Sequence, residues 1–111
     1  MKSNGTDRLR GMLGFAMRAG RVVIGTDLVC AAMAKRGKDK LKLALVSASA
    51  SAATKKKITV KCEFYSIKAL ETDLPPEELG RLLGKTYAPV VVGITDEGFA
   101  REISLAIGSQ T

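Results

Sequence analysis

"KLKLALVSA", Lys40 to Ala48, decides how this chain is folded. It begins with alternating basic and apolar residues and ends in an apolar run, the pattern of a central strand covered on both faces. On its N-terminal side, Leu28, Val29, Ala32 and Met33 recur at helical spacing and are expected to form the buried stripe of a helix. Gly37 is its expected C-terminal stop. That helix opens at Gly25-Thr26-Asp27, where Thr and Asp are both good caps because a side-chain oxygen can accept from free N–H groups of the first turn. Before it, Val22-Val23-Ile24 is a β-branched run between Gly20 and Gly25, hence a strand. Leu9, Met12, Leu13, Ala16 and Met17 then give a first helix from about Asp7 to Ala19.

On the C-terminal side, Ser51 to Cys62 reads as a helix with Thr54, Ile58 and Cys62 on one face and Lys55, Lys56, Lys57 and Lys61 facing elsewhere. "FYSIKAL" reads as an edge strand. Pro75-Pro76-Glu77-Glu78 opens a further helix with proline and acids where the first turn accepts them. Leu79, Leu82 and Leu83 are its buried face and Gly84 its end. "PVVVGI" is a second strongly apolar strand, and Thr95 or Asp96 caps a last helix carrying Phe99, Ile103 and Ile107. Strands interleaved with helices in this way predict an α/β/α three-layer sandwich. Residues 1–111 show no repeat, linker or low-complexity segment and are expected to form a single domain.

At 111 residues the chain can bury one core without staples. Its hydrophobic fraction of 46% and charged fraction of 26% are those of a soluble globular protein rather than a disordered one. No apolar run approaches the roughly 20 residues that span a bilayer. The opening "MKSNGTDRLRGMLGFAMRAG" is broken by glycine and arginine and lacks the apolar core of a signal peptide, so a cytoplasmic location is expected. Cys30 and Cys62 are too few for a disulfide framework, and both are expected to be buried reduced thiols. Histidine is absent, which removes the commonest zinc ligand and the commonest acid–base group.

The distribution of charge says more than its sum. Residues 1–68 carry a net +11, residues 69–111 a net −4, and together they make the overall +7. Such segregation predicts one basic side, whose natural partner is a polyanion, nucleic acid before all. A membrane surface fits poorly, because no helix pairs a basic face with bulky aromatics. Arg18, Arg21, Lys35, Arg36, Lys38, Lys40 and Lys42 join the lysine run 55–57 as groups that position a nucleic-acid backbone without reading its sequence. At 5% aromatic residues, a binder that works by stacking bases is disfavoured.

"LGKTY", residues 83–87, resembles a phosphate-binding loop only superficially. The loop requires a glycine five residues before Gly84, where this chain has Leu79, and a strand before it rather than a helix. What remains is a helix-to-strand loop bearing Lys85 and Tyr87. No nucleophile–base pair is evident, and Cys30 has no histidine to activate it. The chain is therefore expected not to be an enzyme and to need no cofactor or metal.

Three stretches, "AGRVVIGTDLV", "LALVSASAS" and "LGRLLGKTYAPVVVGITDEGFA", stand in the order and spacing of one family. Over roughly residues 9–107 the chain resembles the ribosomal protein L-seven-Ae / L-thirty-e family of small RNA binders, many of which recognise kink-turn RNA. It is most similar to the bacterial YlxQ-type members, in which "VVxGxDLV", "KC…Y" and "TDxGFA" also occur. The resemblance implies a mixed four-stranded sheet between two helical layers. It also implies that the helix start at Gly25, Thr26 and Asp27, with Arg21 just upstream, enters a widened RNA groove and contacts sheared G·A pairs. Lys85, Thr86, Tyr87 and Ala88 would pack on an extruded nucleotide; the backbone contact expected of Lys35 comes from the basic set above, not from the resemblance. The strongest kink-turn binders carry Asn-Glu after Gly-Thr and a lysine one turn on; here Asp27, Leu28 and Ala31 stand at those positions.

The expectation is thus a non-enzymatic RNA-binding protein, related to ribosomal proteins and monomeric in isolation, that contacts structured RNA, ribosomal or otherwise. The alternative is a protein-interaction module that kept the fold and lost selective RNA binding.

Overall fold

In chain order the elements are α1 (Asn4–Arg18), β1 (Val22–Ile24), α2 (Thr26–Met33), β2 (Leu43–Ser47), α3 (Ala52–Tyr65), β3 (Lys68–Thr72), α4 (Pro76–Leu82), β4 (Val91–Ile94) and α5 (Glu97–Gly108). A computed structural model describes residues 4–108 of the chain, and side chains from residue 6 onward; Lys2, one of the bases counted above, lies outside them. The strands form one sheet in the order β1-β4-β2-β3. β1 and β2 both run antiparallel to β4, while β3 runs parallel to β2, so the sheet is mixed.

β2 occupies an interior position and all five of its residues are buried, as its apolar run predicts. Pleating sends Leu43 and Leu45 to one face and Ala44 and Val46 to the other. Behind the leucines lies a core built with Leu9, Leu13, Leu79, Leu83 and Ile103 from α1, the α4 region and α5. Behind Ala44 and Val46 lies a second core with Val29, Met33, Ile58 and Cys62 from α2 and α3. Two cores on opposite faces of one sheet make the three-layer α/β/α sandwich. Gly93 on β4 lets the second layer close down, because a Cβ there would overlap the buried Leu41 side chain and press on Val29.

Most helix boundaries follow local chemistry. The Ser51 hydroxyl accepts from the Thr54 amide at 3.1 Å and caps α3. Of the two candidates before α5 it is Asp96 that caps, its Oδ2 accepting from the Phe99 amide at 2.9 Å. Two boundaries differ from expectation. Phe64 and Tyr65 belong to α3, not to the following strand, because the helix continues until Ser66 turns left-handed at φ 59°. The Ile67 amide then donates back to the Cys62 carbonyl at 2.8 Å and closes the end, so the strand begins only at Lys68. Gly37 does not stop α2, which ends at Met33; its positive φ of 67° instead starts a separate 3-10 turn, Gly37–Asp39.

The basic and acidic portions of the chain meet in space. Arg8 pairs with Glu102, Arg10 with Glu78 and Lys55 with Glu71, so carboxylates from the second portion neutralise part of the first. The hydrogen bond from Arg10 holds the Glu78 carboxyl below the usual carboxylate range, against the opposing effect of desolvation. A carboxyl lowered on folding stabilises the protein above its unfolded value and loses that contribution as pH falls through the folded one. Glu78→Gln is therefore expected to flatten the acid side of a stability–pH profile, measured by urea denaturation from about pH 6 down to about pH 3, across the carboxylate range.

The two thiols separate. Cys62 is buried and desolvation pushes it up to about 11, whereas Cys30 is only half-buried, contrary to the expectation that both lie in the core. A thiolate-seeking reagent near neutral pH is expected to label Cys30 promptly and Cys62 only when the protein unfolds. Mass mapping of the modified peptides checks this, and equal labelling rates would contradict it.

Candidate nucleic-acid interface

The site is built around β1, a three-residue strand at one edge of the sheet. Its last residue leads into Gly25, whose backbone angles of φ 103° and ψ 149° are open in practice to glycine alone. Two bonds fix this turn: the Gly25 amide donates to the Val91 carbonyl at 2.9 Å, and the Gly25 carbonyl accepts from the Val29 amide at 3.0 Å. Gly25 itself is the N-cap of α2, and no side chain caps the helix. The expectation that Thr26 or Asp27 would do so is therefore wrong: both already lie inside the first turn. The N–H groups there are left facing outward, with the positive end of the helix behind them.

Leu28, expected in the buried stripe, is instead 63% exposed. With α2 starting at Thr26, the face turned to the sheet is Val29, Ala32 and Met33, and Leu28 falls on its flank.

A second piece arrives from the segment between α4 and β4. Leu83 ends the helix, Gly84 takes a φ of +71°, and the Lys85 amide donates to the Gly80 carbonyl at 2.8 Å. The loop so folds back across its own helix. Gly80 makes this possible, since a Cβ there would overlap the Tyr87 carbonyl oxygen and crowd Pro89. Lys85, Thr86, Tyr87 and Ala88 are all left exposed at the loop crest.

Between these pieces runs a groove of about 460 Å³ along β1, into which Arg21, Lys35, Lys85 and Tyr87 converge, with Leu28 and Ala31 on the α2 wall. A neighbouring hollow of about 400 Å³ shares Lys85 and Tyr87 and adds Thr86, Ala88, Arg81 and one acid, Glu77. Gly25, Thr26 and Asp27 line neither hollow; they form the turn that continues directly from Ile24 on the groove wall. Three cations face a single acid in the groove, Asp39. Two things escaped the sequence reading. Arg81 was visible only as a base in the last turn of α4, and Leu28 and Ala31 counted as departures from a pattern rather than as groove wall. Among the described residues, no cluster of histidine, cysteine or carboxylate side chains could hold a metal ion. No helix among them is long and apolar enough to cross a membrane.

A mixed four-stranded sheet between helical layers, with a basic groove where a strand-to-helix turn meets a helix-to-strand loop, defines a small α/β/α sandwich that presents cations and amide donors along one sheet edge. The chain belongs to the Ribosomal protein L7Ae/L30e/S12e/Gadd45 family, whose model matches residues 7–104. It is 40% identical over 92 residues to the RNA-binding protein YlxQ of Bacillus subtilis (strain 168), covering 83% of this chain and 87% of that one. It is 31% identical over 102 residues to the RNA-binding protein YlxQ of Enterococcus faecium, covering 92% and 93%. Among solved structures, a protein of unknown function from Bacillus halodurans C superposes with a TM-score of 0.80 at 32% identity, covering 90% of this chain and 96% of that one. The Giardia lamblia 15.5kD RNA binding protein gives a TM-score of 0.72 at 13% identity, covering 94% and 85%, a likeness of fold alone.

Proposed function

We propose that this chain is a non-enzymatic RNA-binding protein that holds structured RNA in the groove along β1. The observation that carries the reading is the convergence of Arg21, Lys35, Lys85 and Tyr87, from three separate parts of the sequence, on one groove beside a helix start that no side chain caps. The cations take phosphates, and the amides of Thr26 and Asp27 donate to phosphate or base acceptors, as helix starts commonly do. Tyr87, with Thr86 and Ala88 beside it, offers an exposed ring for an unstacked base. The RNA-binding names of the two YlxQ relatives support the same conclusion.

The selectivity of this site differs from that of the strongest kink-turn binders. Leu28 has no hydrogen bond to give, and an ionised Asp27 can only accept, from a guanine N–H for example. Backbone contact therefore contributes more of the affinity than base recognition. Gel-shift titrations at two salt concentrations, with a kink-turn duplex and a version whose G·A pairs are disrupted, test this. Binding that falls with salt at a log–log slope of about −0.7 to −0.9 per neutralised phosphate, and favours the intact kink only modestly, is the expected result. Failure to bind either RNA would overturn the reading. A partner retained in nuclease-treated pull-downs would then favour the alternative, a protein-interaction module in which Leu28 and Ala31 form the apolar wall.

A further inference from the structure

A second depression, larger than the groove at about 580 Å³, lies at the end of the sheet where β1 begins and β4 ends. Lys40 and Lys42 enter it from the segment before β2, Lys68 from the start of β3 and Arg101 from α5, with the Ser66 hydroxyl and one acid, Glu97, on its wall. None of the four cations forms an ion pair among the described residues. Two are held in place: the Lys40 ammonium donates to the Met33 carbonyl at 2.7 Å and sits 5.4 Å from the Tyr65 ring centre, and the Lys42 ammonium donates to the Gly37 carbonyl at 3.2 Å. Beside Tyr65, and in edge-to-face contact with it, stands Phe64, 79% exposed.

This bowl and the groove adjoin. Asp39 and Thr95 belong to the groove, while their near neighbours Lys40 and Glu97 belong to the bowl. The sheet fixes the relation. The Thr95 amide donates to the Arg21 carbonyl at 3.0 Å, the Lys42 amide to the Ile94 carbonyl at 2.8 Å, and Leu43 pairs with Lys68. Arg21 and Lys42 therefore sit two strands apart, about 10 Å at ordinary strand spacing.

We infer that groove and bowl form one continuous track, along which an RNA strand leaving the structured element in the groove passes over Lys42, Lys68 and Arg101. The inference rests on the groove being an RNA site and adds a second, sequence-indifferent backbone contact to it. A polymer fits better than a small anion, because the cations are spread along a path shared with the groove rather than gathered round one point. Phe64, exposed beside the Tyr65 ring that Lys40 faces, supplies a face on which an unpaired base can stack.

The test uses the full chain and two RNAs: a kink-turn duplex alone, and the same duplex with a single-stranded extension of about ten uridines, a length within the usual span of single-strand sites. The extension is expected to raise affinity about tenfold and to steepen the salt slope by about 0.7 for each added phosphate contact. In Lys68→Ala/Arg101→Ala most of that gain disappears while affinity for the plain duplex is retained. Lys42→Ala/Lys68→Ala/Arg101→Ala, which also removes the ammonium bonded to the Gly37 and Lys40 carbonyls, is measured beside it, with thermal melts to confirm folding, and is expected to lose all of the gain. Intact binding of the plain duplex with no bowl-dependent gain overturns the continuous track alone. Absence of binding to both RNAs overturns the groove reading and the track together. Polyglutamate binding that the triple variant loses, with no gain from the uridine extension, overturns it in favour of an acidic protein partner.

Discussion

Replacing Arg21, Lys35 and Lys85 together by glutamate is expected to lower affinity for a kink-turn duplex by at least about 100-fold near physiological salt. Each exposed cation–phosphate contact contributes about a factor of five, since screening keeps surface pairs near 1 kcal/mol, and three compound to roughly 100. Reversal adds repulsion on top of the lost attraction. The salt slope should fall at the same time, by about 0.7 to 0.9 for each contact removed. That second readout separates a lost electrostatic contact from a misfolded variant, which would lose binding at every salt concentration. All three residues lie in the groove and none forms an ion pair among the described residues, so thermal stability should barely change. An affinity within threefold of the unaltered protein would mean that the groove is not where RNA binds.

Gly80→Ala carries the second large effect, and it acts through shape. Glycine inside a helix ordinarily costs about 1 kcal/mol relative to alanine, so the substitution would stabilise α4 if the helix stood alone. Here a methyl group would overlap a backbone carbonyl, that of Tyr87, which cannot swing aside as a flexible side chain would. The loop must lift, losing the Lys85 amide bond to the Gly80 carbonyl and with it the placement of Lys85, Thr86 and Tyr87. Overpacking of this kind costs about 1 to 3 kcal/mol, or roughly 5 to 15 °C in melting temperature for a domain of this size. RNA affinity should fall about tenfold or more even at temperatures where the variant is fully folded, because an ångström of misplacement is enough to break hydrogen-bond geometry. Calorimetry with binding measurements at low temperature checks both halves. A variant that melts higher and binds normally would show that the loop has room the geometry denies it.

The sequence was most legible where burial decides structure. Leu43 to Val46 had to be interior because nothing polar interrupts the run, and the repeated leucines of α1 and α4 had only one face to hide. It was least legible where backbone geometry decides. Phe64 and Tyr65 favour strands by propensity, yet they extend α3, because the left-handed turn that ends the helix falls on Ser66 rather than on a glycine. Gly25 looked like the residue before a cap and is the cap itself, a distinction set by one pair of dihedral angles. Gly80 carries no local sign of its role, since its reason lies seven residues away at Tyr87. Of the site, the individual residues were visible in the sequence. That Arg21, Lys35 and Lys85 share one groove depends on how β1 and β4 pair, which no local pattern records.

The shortness of β1 has a consequence for how the molecule behaves in a crowded solution. It is an outermost strand, and an outermost strand ordinarily invites another chain to add itself in register, the first step toward swapping or aggregation. With three strand residues in the four-residue stretch between Gly20 and Gly25, both glycines at positive φ, the exposed rim is too brief and too sharply bent at both ends to template a long partner strand. The same brevity of the strand that borders the groove thus guards the sheet against its own kind. Lengthening β1 to strengthen the sheet would give another chain the edge it now lacks.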